Sequence, residues 1–170
     1  MKKYINLLLV AAGVFIFNSH VFAQSIDQDR KWDNFSGWTV FASVEYQGCV
    51  ALASYQDGTT VRLGYDGIVQ DYFFNISNNK WRTYALRKDF ELRFELGRGR
   101  LLSGFFHTEL RDNLPTFEIG NVKGSFLDEI AAASGIRIFE EDRQLASLSL
   151  IGSRRALNSM VECQQSIVGQ

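Results

Sequence analysis

The sequence predicts a mainly β fold, an antiparallel sandwich or open barrel of short strands with two helices, the last one C-terminal. Three observations carry this. From Trp38 onward, apolar and polar residues alternate with period two in one short run after another. Turn pairs such as Asp57-Gly58 and Asp66-Gly67, nine positions apart, divide the runs at hairpin spacing. A helical period appears only in two late stretches. The competing architecture is a β-meander followed by an α/β tail.

Residues 24–35 are polar with scattered aromatics and read as a tail leading into a single domain over 36–168. Trp38, Val40, Ala42, Val44 and Tyr46 share one face of the first strand. Gln47-Gly48 turns the chain into a second strand, with Cys49, Ala51, Ala53 and Tyr55 on one face and Val50 and Leu52 on the other. Val61, Leu63 and Tyr65 alternate between the two Asp-Gly turns. Ile68, Tyr72, Phe74 and Ile76 extend the sheet to a turn at Asn78-Asn79. Lys80–Leu86 is expected as a strand led by Trp81.

Phe90, Leu92, Phe94 and Leu96 alternate with Glu91, Arg93 and Glu95, the pattern of a strand with one wet face. Gly97-Arg98-Gly99 turns into a strand over Arg100–Leu110. Arg111-Asp112-Asn113 with Pro115 marks a loop, and Thr116–Ile119 a short edge strand. Ser125 is a candidate N-cap with Asp128 as its capping-box partner, and Gly135 a candidate C-cap. Ile136–Phe139 is a strand, and Glu140-Glu141-Asp142 an acidic turn. Leu145, Ser147 and Ser149 then alternate against Ala146, Leu148 and Leu150. Gly152-Ser153 opens the last helix, where Ala156, Leu157, Met160, Cys163, Gln164 and Ile167 share an inner face.

The N-terminus predicts export. Lys2 and Lys3 precede the apolar run Leu7–Phe17, and Val21-Phe22-Ala23 places small residues for cleavage before Gln24. Residues 1–23 therefore read as a signal peptide, with an uncleaved anchor as the alternative. No cysteine follows the cut to carry a lipid. Removing 23 of 170 residues leaves 147, enough for one core. The signal holds two lysines and no acids, so 16 basic and 19 acidic side chains remain, net −3, which offers nothing to nucleic acid. The product is expected in the periplasm or outside the cell, not spanning a membrane once cleaved.

Two cysteines in an exported chain invite one pairing, Cys49 with Cys163, across 114 positions. Chain entropy gives such a loop on the order of 4–5 kcal/mol as an upper figure. The alternative is two buried free thiols.

Chemistry-bearing residues are sparse. Beyond the signal the one histidine is His107, and strand spacing puts Glu109 on its face, as base and orienter would lie; a histidine at the wet end of a strand is the plainer reading. No metal site or cofactor is indicated, because one histidine and two paired cysteines exclude the usual zinc spacings. Ser153, Arg154 and Arg155 at a helix start would suit an anion, against the reading of two surface arginines. Phe73, Trp81 and Tyr84 belong to an aromatic supply larger than one sheet face hides easily, and so suggest an interaction patch, against a sheet packed on both faces.

Gly37-Trp38-Thr39-Val40, a downstream Cys49, and Leu148-Ser149-Leu150-Ile151-Gly152-Ser153 ahead of Ala156-Leu157 resemble the invasion-associated locus B proteins, which are exported, β-rich and mainly alphaproteobacterial. The resemblance covers both ends of the chain and implies fold and compartment, with no enzymatic chemistry to carry over. Ser153 stands where that pattern has Phe. The family's early cysteine is missing, and Cys163 is present instead.

The expectation is an exported, non-enzymatic domain that binds an envelope or secreted protein, with a glycan as another possible ligand. Two alternatives are an envelope hydrolase acting on a glycan or ester through His107 or a carboxylate pair, and an inhibitor or immunity protein for a secreted toxin. Intact mass after alkylation without reduction is expected to show no added label; two labels would exclude the disulfide.

Overall fold

A computed structural model describes residues 28–84, 88–97 and 99–168. The expected export signal lies outside these residues. The chain forms β1 (Arg30–Phe35), β2 (Trp38–Ser43), β3 (Gly48–Ser54), β4 (Thr60–Asp66), β5 (Asp71–Ser77), a 3-10 turn (Asn79–Trp81), β6 (Asp89–Leu96), β7 (Arg100–Arg111), β8 (Leu114–Ile119), α1 (Gly124–Ala132), β9 (Gly135–Glu140), β10 (Arg143–Ser149) and α2 (Ser153–Val168). All ten strands join one open antiparallel sheet in the order β1-β2-β3-β4-β5-β8-β7-β6-β9-β10.

Local chemistry sets the hairpins. Ser36 and Gly37 between β1 and β2, and Asp112 and Asn113 between β7 and β8, all have positive φ, as two-residue turns require to match strand twist. At Gly48 and Gly67 two backbones touch. A Cβ on Gly48 would lie 2.0 Å from the Tyr65 carbonyl oxygen, and one on Gly67 2.2 Å from that of Gln47. The Gly67 N–H donates to the Tyr46 carbonyl there, at 2.8 Å.

The inner face of the sheet curls around the core. Phe74 of β5 meets Phe94 of β6 and Phe106 of β7 at ring separations of 5.8 and 6.0 Å, although β8 and β7 lie between β5 and β6 in the sheet. Phe126 of α1 closes the cluster at 5.5 Å from Phe74. Next to it, α2 lies over β1 to β4 and against α1. Ala156, Met160 and Cys163 are buried there, on the face the sequence assigned. Cys163 is disulfide-bonded to Cys49, with Cα atoms 6.0 Å apart. The Cys49 N–H donates to the Gln164 side-chain carbonyl at 3.0 Å. The Ser153 hydroxyl donates to the Ile130 carbonyl at 3.1 Å and so ties the two helices.

Several segments differ from the sequence expectation. The expected tail contributes β1 from Arg30, because its backbone completes the β2 edge. Trp81 sits in the 3-10 turn, capped by the Asn78 side chain accepting from Lys80 N–H, and not in a strand; Leu86, where that strand was to end, lies outside the described residues. Ile68 is exposed in a turn. Residues 114–119 form a central strand between β5 and β7, not an edge. Its Pro115 stands next to the hairpin, where its carbonyl accepts from Asn78 N–H. Helix α1 begins after Lys123 with no side-chain cap, and Gly135 opens β9 instead of capping the helix.

One pair of neighbouring strands is mismatched in length. Strand β7 has twelve residues and β8 has six. Strand β6 pairs with Arg100–His107, whereas β8 pairs only with His107–Arg111. Among the described residues, the first half of β7 therefore has a strand on one side only.

Replacing both cysteines by alanine is expected to lower stability by up to about 5 kcal/mol, since the loop they close is long. A urea denaturation series of the oxidised protein and the double variant measures this.

Candidate functional site

The outer face of the sheet collects polar side chains at one level. Register places Arg62 (β4), Asn75 (β5), Glu118 (β8), His107 (β7) and Asp89 (β6) opposite one another in succession across five neighbouring strands. Alternation along each strand does this, because Arg62, Asn75, Glu118 and His107 are each flanked by side chains that turn inward, and Asp89 precedes the inward Phe90.

Beside this row stands Arg111. Its guanidinium contacts Glu45, and reaches Glu109 at 2.5 Å and Glu118 at 2.7 Å. It also lies over the Tyr46 ring, 5.1 Å from the centroid. Tyr46 stacks on Phe73 at 4.2 Å, and its hydroxyl accepts from the Asn75 amide at 3.1 Å. Tyr46, Val50 and Phe73, flanked by Phe41, make a small second core on this face. Burial pushes the Tyr46 phenol up, with the nearby Arg111 charge pulling it back. Arg62 pairs with Asp112 at 2.6 Å.

Three carboxylates share the one Arg111 guanidinium. Burial raises the Glu118 carboxyl above its ordinary value; Arg111 opposes this, and the adjacent Glu109 adds to it. The cluster is rich in carboxylates, and Arg111 Nε, Arg62 Nη1 and Asn75 Oδ1 are buried in it without a hydrogen-bond partner among the described residues. Both of its arginines already pair with carboxylates, Arg62 with Asp112 and Arg111 with Glu45, Glu109 and Glu118.

The residues expected at a site fall in different places. His107 Nδ1 lies 3.1 Å from Asp89 Oδ1, while Glu109, the orienter that strand spacing suggested, turns to Arg111. His107 is half exposed on the outer face, where water is not excluded. Ser153 is buried, its hydroxyl engaged by Ile130 and its N–H by the Leu150 carbonyl, so of the three residues expected to hold an anion only Arg154 and Arg155 remain at the surface. Phe73 and Trp81 are 4% and 5% exposed, so neither contributes to an exposed patch. Trp81 packs on Phe117, and Phe73 belongs to the second core. Tyr84 is half-buried; its hydroxyl donates to Glu140 at 2.7 Å and accepts from Arg143. Burial, and then Glu140, raise its phenol well above the ordinary value.

Exposed apolar side chains are spread over several elements, among them Ile68 and Val69 in the β4–β5 turn and Ile151 before α2. Leu101 and Phe105, both on the outer face of the first half of β7, are 60% and 70% exposed. Sequence carried a signal for this. Leu101-Leu102 and Phe105-Phe106 are adjacent apolar pairs on a strand, and a strand with one buried face can hide only one member of each.

No family model matches the chain, and no curated protein matches it in sequence. Among solved structures it is similar to invasion associated protein B from Bartonella henselae, with a TM-score of 0.59 over 80% of this chain and 99% of that one, at 9% identity. At that identity the likeness is one of fold. It agrees with the resemblance at the two ends of the sequence.

The raised Glu118 has a pH signature. Below the ordinary carboxyl value near 4.5 both folded and unfolded chains hold the proton, and the stabilisation is fully present. As pH rises from there the unfolded chain releases its proton first, so stability falls until the folded value is passed. Glu118→Gln is expected to flatten this decline, read as urea midpoints across the acid-to-neutral range.

Proposed function

We propose that this chain is an exported, envelope-associated domain without catalytic machinery that works by binding another protein. The observation that carries the reading is the exposure of Phe105 and Leu101 on a strand segment paired along one side only. Exposed aromatic side chains on a rigid scaffold are the usual anchors of protein interfaces. The signal pattern at residues 1–23 and the disulfide across 114 positions support an oxidising compartment. The fold shared with a protein described as invasion associated agrees with a role at the bacterial envelope. Among the described residues no helix is long and apolar enough to cross a membrane.

Crosslinking and pull-down of the tagged mature protein from its own cell envelope tests this. One enriched protein is expected, lost from Phe105→Ala and Leu101→Ser variants whose circular dichroism is unchanged. No enriched protein, or enrichment insensitive to both changes, would overturn the reading and shift attention to a glycan or small-molecule ligand.

A further inference from the structure

Resting on the protein-binding reading above, we infer that the partner is held as an added β-strand along the free side of Arg100–Phe105, with apolar side chains of that strand filling the cavity beneath α1 and an acidic residue meeting Lys123.

Three independent features converge on this segment. The first is backbone. Beyond the point where β8 stops pairing, the β7 main chain presents unpaired donors and acceptors to the gap between β7 and residues 120–123, among the described residues. The two outer edges of the sheet are guarded differently. Strand β1 carries Arg30, Lys31 and Asp33 and a register break at Lys31/Asp33. Strand β10 begins with Arg143 and breaks register between Gln144 and Ala146. Charges and bulges of this kind keep edges from pairing with other chains. The β7 segment has no register break and shows Leu101 and Phe105 instead.

The second feature is a cavity of about 310 Å3 on the inner side of the same segment. Leu102, Phe94, Phe106, Ile119, Val122 and Phe126 supply its apolar lining. Gly104 keeps it open: a Cβ there would already lie 3.3 Å from Ile119 Cδ1. Its volume falls at the low end of ligand pockets, roughly 300–1,000 Å3. A strand laid along β7 sends alternate side chains inward to this cavity and outward over Leu101 and Phe105, so both faces of one added strand find apolar contacts.

The third feature is charge. Arg100 at the cavity rim is neutralised by Glu129 at 2.7 Å. Lys123 at the same rim has no ion pair among the described residues. An acidic side chain on the incoming strand would complete it.

The test uses the mature, oxidised protein and a phage-displayed library of random short linear peptides. Enriched sequences are expected to alternate apolar residues and to carry an acid. A selected peptide should protect the amides of Arg100–Phe105 from hydrogen exchange, and N-methylation of alternate backbone nitrogens should abolish its binding. Gly104→Val, which fills the cavity, should weaken it at least about tenfold, and the surface change Lys123→Glu about tenfold, the scale of one charged contact. Enrichment of nothing, protection elsewhere, or unchanged affinity in both folded variants would overturn the inference. An envelope partner captured through Phe105 but retained by Gly104→Val would leave the binding reading standing and remove strand addition alone.

Discussion

The sheet has one long apolar face, and its curl and the two helices cover it. Ten strands in sequence would leave a twisted ribbon with its Val, Ile, Leu and Phe side chains in water. Curling brings β5 against β6, so that Phe74 meets Phe94 and Phe106, and α1 seals that end with Phe126. Helix α2 is laid across β1 to β4 and against α1. The Cys49–Cys163 bond fixes the helix there from a position far along the chain, and Gln164 adds a hydrogen bond to the backbone of the bonded strand. Close approach of Gly152 to the β1–β2 hairpin, where a Cβ would lie 3.0 Å from the Phe35 carbonyl, sets where the helix can start.

Coverage is incomplete along the first half of β7, and strand length is the reason. The hairpin at Asp112-Asn113 returns a strand only half as long as β7. The chain then leaves the sheet to form α1, so among the described residues the first half of β7 keeps β6 on one side and a gap on the other. An edge inside a sheet, next to an apolar cavity and beneath exposed Leu101 and Phe105, is costly to maintain unless something pairs with it. That exposed edge is what the proposed binding role rests on, and it arises from topology.

The charged outer face answers a different need. Arg111 sits on the Tyr46 ring and draws Glu45, Glu109 and Glu118 together from the β2–β3 turn, β7 and β8. Tyr46, Val50 and Phe73 beneath it bury aromatic area that the main core cannot take. The network thus braces the junction between the first strands and the rest of the sheet. His107 and Asp89 extend the same row and read as part of the scaffold's polar surface.

Period-two alternation and the Asp-Gly turns were enough to predict most strands and the open antiparallel class, and the helical period the two helices, because side-chain direction and turn geometry are local properties. The inner face of α2, with Cys163 among its buried residues, was equally legible from spacing. Sequence did not reveal that residues 114–119 are central, that Trp81 lies in a 3-10 turn, or that Arg30–Phe35 joins the sheet, since each depends on which strands become neighbours. Nor did it separate Phe73 from Phe105. Both stand next to a second Phe on a strand. One found an outer-face partner in Tyr46, and the other did not. The sequence by itself determined which residues alternate and where the chain turns. Only the tertiary structure decided which alternating face is covered, because cover is supplied by segments distant along the chain.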